Sequence, residues 1–257
     1  MTTPAGFDLV TAGGAVALTR FSARDWVETA LRDRVTLYDA ACEMSRGTME
    51  GRGVVHVVAA PAGESKQWAV RRYMRGGWAR PLGDRFVRVG PPRPFRELAT
   101  SEAALRGGVP TPVVVCASVY SEGIFYRGDL ITEYVPDSND LAVVLFDGSK
   151  SAAQGTEFCR VAALTAAGGL INRMAIAGIR HPDVNAKNIL LHGDPGSPDA
   201  MLLDLDRCAI SEPSPSTSAT PMYRRLERSL RKWEGRTGRR LSDEERRALR
   251  AGLEVGP

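Results

Sequence analysis

The chain reads as an α+β protein, with a small antiparallel sheet and one helix in its first half and a mainly helical second half. Three observations carry this. Two short β-type runs, VVHVVAA over Val54–Ala60 and WAVRRY over Trp68–Tyr73, flank the turn-forming PAGESK. Two longer extended runs, VPTPVVVCASVY and FYRGDLITEYVP, follow them. From Thr156 onward, apolar residues recur at helical rather than alternating spacing. The division expected is an N-terminal lobe over 1–135, including a leader segment, and a C-terminal lobe over 136–257, with a cleft between them.

The elements follow in order. After the strand-like WAVRRY, a helix is expected over Phe95–Arg106, stopped by Gly107-Gly108. Pro110 and Pro112 mark the entry to the next strand, and Pro136 stops the one after it. Thr156–Ala177 places Phe158, Val161, Leu164, Ile171 and Met174 at mostly helical spacing, although Gly168-Gly169 weakens that helix locally. AMLLDLDR, at 200–207, reads as a buried strand carrying two acids, and SEPSPSTSATP as a loop. Basic helices close the chain, the last opened by a capping box from Ser242 and Glu245.

Bulk properties narrow the function classes. No apolar run approaches the roughly 18 residues needed to cross a bilayer. The opening MTTPAGFDLVTAGGAVALTR lacks a basic region before its short apolar patch, so it makes a poor signal peptide. Cys42, Cys116, Cys159 and Cys208 are far apart, and with three scattered histidines neither a zinc site nor a disulfide framework is expected. A cytoplasmic location fits reduced thiols. The net charge of +4 is unevenly spread: eleven Lys or Arg stand against five acids between Met222 and Arg250. Arg71, Arg72, Arg75, Arg80, Arg85, Arg88, Arg93 and Arg96 form a second cluster. Such patches suit phosphates, nucleic acid or an anionic membrane, and a solvated helix face is the plain alternative. Nucleic acid is not expected, because no reading motif or interleaved aromatics accompany the charge.

The chemistry concentrates in HPDVNAKNILL, from His181 to Leu191. Asp and Asn in a loop are often only turn formers. Here Asp183 precedes Asn188 by five residues, and Asp204 follows at the end of the apolar Met201-Leu202-Leu203. Phosphoryl transfer on the kinase plan needs an Asp to receive the hydroxyl proton, and an Asn and a second Asp to hold Mg²⁺. D-x4-N followed by an apolar run and Asp supplies all three in order. Gly51 and Gly53 in GRGVV let backbone amides approach phosphates, although taken alone GxG is a plain hairpin turn. Arg71 stands where a phosphate-directed cation is wanted, and Glu97, one turn into the next helix, is preferred over Glu102 as its partner. Taken together, these features point to ATP and Mg²⁺.

These segments resemble the bacterial lipopolysaccharide core kinases, and within them the enzymes acting on 3-deoxy-D-manno-octulosonic acid (Kdo). HPDVNAKNIL matches the family loop H-x-D-x-N-x-x-N-I-L, including Asn185. LLDLDR is similar to its apolar-D-F-D-R segment with Leu205 for Phe, and VRRYMRGG to its arginine-rich strand and turn. FRELATSEAALRGGVPTP, FYRGDLITEYVP and the basic RRLERSLRK extend the likeness over about 46–233. The resemblance implies a protein-kinase-like two-lobed fold and γ-phosphoryl transfer from ATP to the 4-hydroxyl of Kdo on lipid A. It makes Asp183 the catalytic base and Asn188 and Asp204 the Mg²⁺ ligands. Gly51 and Gly53 would cover the phosphates, with Arg71 replacing the usual strand Lys and Glu97 orienting it. Arg224, Arg225, Arg228, Arg231 and Lys232 would then hold the enzyme to the anionic cytoplasmic face of the inner membrane.

Other roles stay open at this level. Asp206 is read as holding metal or pairing with Arg207 or a loop arginine, and His181 as scaffold. Asn185 would bond the catalytic Asp or a substrate hydroxyl. Lys187 would touch the γ-phosphate or remain solvated. The rival functions are a core heptose kinase, another small-molecule or protein kinase of the same fold, and a membrane-associated pseudokinase scaffold.

Overall fold

The structure is a computed structural model describing residues 3–33, 35–45, 47–50, 54–61, 66–75, 83–147, 157–214 and 217–254. The chain forms two compact units, Met1–Ala99 with Val113–Tyr134, and Thr100–Pro112 with Val135–Pro257.

The first unit is built on one antiparallel sheet. Its strands are β1 (Phe7–Ala12), β2 (Ala15–Arg20), β3 (Gly47–Glu50), β4 (Val54–Ala59), β5 (Gln67–Arg72), β6 (Phe86–Val87), β7 (Val114–Glu122) and β8 (Phe125–Glu133). They lie in the order β1-β2-β7-β8-β5-β4-β3, with β6 pairing β8. Three helices accompany them: α1 (Arg24–Arg32), α2 (Leu37–Met44) and α3 (Arg93–Arg106), with the unit boundary falling inside α3 after Ala99. One core layer joins Val27, Leu31 and Leu37 of the first two helices to Val58, Trp68, Val70 and Ile131 of the sheet. Another gathers Phe95 and Leu98 of α3 with Phe86, Val119, Tyr126 and Leu130. The sheet is therefore buried on both sides.

The leader segment turns out to be structured. Gly13 and Gly14 both have positive φ and connect the Ala12–Ala15 pair, the signature of a two-residue hairpin turn. Thr36 caps α2 by accepting from the Asp39 backbone N–H at 3.1 Å.

The second unit is mostly helical: α4 (Leu141–Phe146), α5 (Arg160–Ile176), α6 (Thr220–Thr237) and α7 (Asp243–Gly252). Small sheets β12-β11-β9 and β10-β13 join β9 (Asn139–Asp140), β10 (Ile179–Arg180), β11 (Ile189–Asp194), β12 (Ser197–Leu202) and β13 (Ala209–Ile210). The helix expected over 156–177 starts later, at Arg160, with the Cys159 N–H bonded to the Pro195 carbonyl at 2.8 Å. Its Gly168 marks close packing rather than weakness: a Cβ there would lie 2.3 Å from the Leu249 carbonyl oxygen of α7. The Ser242–Glu245 capping box is present, with bonds of 3.2 and 2.7 Å. The strand expected over 200–207 ends at Leu202, because Asp204 takes a left-handed conformation and a 3-10 turn follows.

Candidate active site

In the first unit the cation and acid are joined. Arg71 lies in β5, and its Nη2 donates to Glu97 Oε1 at 2.6 Å. Glu97 is 4% exposed, low for a carboxylate, and α3 presents it from its first turns. The Tyr73 hydroxyl donates to its other oxygen. The Arg71 guanidinium also stands 4.7 Å from the Tyr73 ring centre, within cation–π range. Strand alternation puts Arg71 and Tyr73 on the same face, so this third member was within reach of the sequence. The connection between β3 and β4 holds Gly51 and Gly53, which lie outside the described residues; the Glu50–Val54 pair flanks it.

In the second unit the candidate loop residues Asp183, Asn185 and Asn188 are held through the backbone. Asn188 Nδ2 donates to the Asp183 carbonyl at 3.2 Å, and Asn185 Nδ2 to the same oxygen at 2.9 Å. Asn185 Oδ1 accepts from the Lys187 N–H at 3.0 Å, forming an Asx turn that opens the short 3-10 segment ending at Asn188. Two amides spent on one carbonyl leave the Asp183 side chain exposed to solvent.

His181 links this loop to the Asp204 segment. Its Nδ1 accepts from the Asp183 N–H at 3.0 Å, while Nε2 lies 3.4 Å from the Leu203 carbonyl oxygen. An accepting Nδ1 requires the proton on Nε2, so a neutral ring bridges the two backbones. Burial holds its pKa below the ordinary value, against the opposing pull of Asp204. The Leu203 N–H donates to the Asn188 carbonyl at 2.9 Å, a second tie between the segments.

Asp204 has φ 62° and ψ 57°, a left-handed conformation uncommon for a residue with a Cβ. Strain of this kind gathers at functional sites. Asn188 is nearly buried, and with Nδ2 used toward Asp183 its Oδ1 is the oxygen left to face a cation. An amide oxygen and a carboxylate suit Mg²⁺, which takes few protein oxygens and completes its shell with phosphates and water. Among the described residues no cluster of three His, Cys, Asp or Glu could hold a metal, so any cation here would rely on that smaller set.

The remaining expectations resolve unevenly. Asp206 is buried whereas Arg207 is exposed. Lys187 is exposed, and its ammonium lies 5.6 Å from the Trp233 ring centre of α6. Ser229 of α6 accepts from the Ala186 N–H at 3.2 Å and so supports the loop. No sequence signal marked Ser229, a single hydroxyl in a basic helix. Arg224, Arg225, Arg228, Arg231 and Lys232 are all exposed, while Met222, Leu226 and Leu230 are buried along the opposite stripe of α6. Among the described residues, no helix is long and apolar enough to cross a membrane.

Comparison with known proteins agrees with these features. Residues 44–249 match the model of the lipopolysaccharide kinase (Kdo/WaaP) family. The 3-deoxy-D-manno-octulosonic acid kinase of Xanthomonas oryzae pv. oryzae (strain PXO99A) is 34% identical over 205 residues, covering 78% of this chain and 76% of the relative. The enzyme of the same name from Haemophilus influenzae (strain ATCC 51907 / DSM 11121 / KW20 / Rd) is 29% identical over 195 residues, covering 74% and 76%. In fold, the chain is similar to WaaP solved in complex with acyl carrier protein, with a TM-score of 0.53 at 15% identity over 97% of this chain and 90% of that one. With a family match spanning both the Arg71–Glu97 pair and the Asp183–Asp204 segments, the chain belongs to the lipopolysaccharide kinase (Kdo/WaaP) family.

Proposed function

We propose that this protein is an ATP-dependent kinase that phosphorylates the 4-hydroxyl of Kdo on Kdo-lipid A. The observation that carries the reading is the catalytic loop, in which Asn185 and Asn188 both clamp the Asp183 carbonyl and leave the Asp183 carboxylate exposed. The likeness to Kdo kinases favours Kdo over heptose as acceptor.

In this reading Asp183 accepts the proton of the attacking hydroxyl, and its loop geometry fixes where that proton goes. Arg71, held by Glu97 and Tyr73, presents its guanidinium to the nucleotide phosphates. Gly51 and Gly53 are assigned to the phosphate-covering turn. Asn188 and Asp204 would hold Mg²⁺, which neutralises phosphate charge when bound. His181 keeps the backbones of Asp183 and Leu203 in register and carries no proton in the reaction. The exposed basic face of α6 is assigned to the anionic cytoplasmic face of the inner membrane, each cation there worth about 1 kcal/mol.

The test is incubation with labelled ATP, Mg²⁺ and Kdo-lipid A beside an Asp183→Ala control. Label in the lipid fraction that disappears with the control supports the assignment. Label confined to protein, or equal in both samples, overturns it. Dephosphorylated Kdo-lipid A and a heptose-bearing acceptor, run in parallel, separate the Kdo reading from its nearest rival.

A further inference from the structure

The arginine cluster of the first half divides in the structure. Arg71 is taken up by Glu97, and Arg72 by Asp39 at 2.8 Å with Asp84 and Asp129 at 3.8 and 3.6 Å. Other members surround something else: a protruding apolar tip. β7 and β8 are joined by the two-residue turn Gly123–Ile124, and Ile124 is 70% exposed. The strip after β6 runs alongside it, with Val87 opposite Phe125 and the Arg88 N–H donating to the Ile124 carbonyl at 3.0 Å. In that strip Val87 is 48% exposed and Val89 83%. Three aliphatic side chains therefore stand in water on adjoining backbone at one end of the sheet, a clustering that scattered surface residues do not explain.

The surroundings are basic. Arg85 and Arg127 share one carboxylate, Glu122, at 3.1 and 2.7 Å. Arg88 donates to the neutral Ser121 hydroxyl at 2.5 Å, and Arg75 donates to the Arg85 carbonyl at 2.5 Å. Asp84 is the other nearby acid, already approached by Arg72 and by Arg127 at 4.0 Å. Among the described residues, four arginines thus stand near the tip against two acids.

We propose that this tip is a docking surface for an anionic lipid bilayer, with Val87, Val89 and Ile124 entering the interface and the four arginines meeting the headgroups. Charge complementarity selects an anionic partner. The apolar part favours lipid over protein. Protein hot spots draw on Trp, Tyr and Arg anchors seated in pockets, and valine is under-represented among them. A turn and strip whose exposed apolar side chains, among the described residues, are the aliphatic Val87, Val89 and Ile124 need no shaped partner. Long arginine stems let their charged heads stay at headgroup level while apolar neighbours go deeper. This surface lies apart in the chain from the α6 basic face assigned above, and neither assignment depends on the other.

The test is flotation of the full chain with vesicles of phosphatidylethanolamine and phosphatidylglycerol, and with vesicles of phosphatidylcholine alone. The proteins compared are wild type, the double variant Val89→Asp/Ile124→Asp, the conservative Val89→Leu/Ile124→Leu, and Arg225→Ala/Arg228→Ala in α6. Both tip residues are exposed, so unchanged melting of each variant is the check on folding. The aspartate pair is expected to lower partitioning onto the anionic vesicles about tenfold, with the leucine pair at wild-type level or above. Equal partitioning of the aspartate pair and wild type overturns the proposal. So does wild-type binding that is no weaker on phosphatidylcholine, or wild type that floats with neither vesicle while binding an acidic protein through the tip. Loss in the α6 variant alone upholds the helix assignment and rejects the tip; loss in the tip variant alone does the reverse.

Discussion

The two units fasten their candidate site residues by different means. In the first, fastening is by side-chain charge. α2 is tied to the sheet by Arg72, which donates to Thr36 Oγ1 at 2.7 Å and Asp39 Oδ1 at 2.8 Å, and by fully buried Asp129, which accepts from the Tyr38 N–H at 3.0 Å. Tyr120 adds its hydroxyl to Asp129 at 2.9 Å. In the second unit, ion pairs also tie helices, Arg160 to Glu245 at 2.5 Å and Arg246 to Glu234 at 2.6 Å, but the closest helix contact and the Asp183 loop are fastened by backbone. α5 and α7 approach so closely at Gly168 and Gly252 that neither position has room for a Cβ, and the Asp183 loop is held through main-chain groups. Side-chain fastening places a charge firmly but makes it sensitive to pH and to loss of one partner. Backbone fastening leaves the Asp183 side chain exposed to solvent. The second unit should therefore lose chemistry without losing stability when Asp183 is removed, whereas the first should respond in stability to pH and in nucleotide binding to the loss of a charged partner.

The largest effect expected is on that contrast. Asp183→Ala should lower kcat about a thousandfold, within the usual range for a general base, with a melting temperature near that of wild type. The clamp from Asn185 and Asn188 uses the Asp183 carbonyl, which alanine retains. Measurement of kcat beside thermal melting checks this, and a collapse in melting temperature would break the backbone side of the comparison.

Next in size is the pH response of the first unit. Burial raises Asp129 from an ordinary 3.8 to about 6, and the Tyr38 N–H and the Arg72 charge only partly oppose it. The folded state therefore holds its proton more tightly than the unfolded one. The penalty for ionising Asp129 is absent below about pH 4, grows as pH rises toward 6 and is complete above that, about 3 kcal/mol for roughly two pH units. On Arg72 burial acts in the opposite sense and lowers the pKa, but Asp129 and Asp39 outweigh it, so its net shift is upward as well. Chemical denaturation between pH 4 and 7 should show wild type losing stability relative to Asp129→Asn as pH rises. Parallel curves would show that the buried carboxyl is no liability.

Backbone fastening has its own breaking point. Gly168→Ala sets a Cβ 2.3 Å from the Leu249 carbonyl oxygen and 3.0 Å from Gly252 Cα, so α5 and α7 must part, at a cost of about 1–3 kcal/mol. Gly169→Ala, one residue on, meets only the Gly252 carbonyl oxygen at 3.8 Å and should gain a few tenths of a kcal/mol from helix propensity. Denaturation midpoints of the two variants, moving in opposite directions, are the check.

The candidate site was more legible in the sequence than the scaffold. Asp183, Asn188 and Asp204 stand in a spacing that kinase chemistry would use, and Arg71 with Glu97 in an order that it would use, so residue types alone nominate them. The supports did not show, because they depend on packing. Gly168 reads as a weak point in a helix until α7 is laid against it. Ser229 becomes a support only because α6 returns to the Ala186 amide, 43 residues away in sequence. The leader was legible in principle, since two glycines between extended runs signal a hairpin and Thr36 with Asp39 a cap. Its short apolar segment AVALTR is the hairpin's second strand, β2. Asp204 shows the opposite limit: its position was evident, but the left-handed backbone that aims it is a property of the folded chain.

A more modest effect on activity bears most directly on the charge-fastened unit. Glu97→Gln keeps the volume and an acceptor for the Tyr73 hydroxyl, but removes the charge that faces Arg71 at 2.6 Å. Arg71 is partly exposed, so its guanidinium keeps some hydration and the unit should stay folded. What weakens is its fixed orientation: without a carboxylate fork to grip, the planar cation samples other rotamers and meets phosphate less often. Activity should fall about tenfold in kcat/KM, carried mainly by a higher KM for ATP, since binding rather than proton transfer is disturbed. Glu102→Gln, the rival acid on α3, should leave KM for ATP unchanged. If Glu102→Gln raised that KM and Glu97→Gln did not, the Arg71–Glu97 bond would be scaffold alone. The first unit would then fasten its fold by charge without using that charge for the nucleotide.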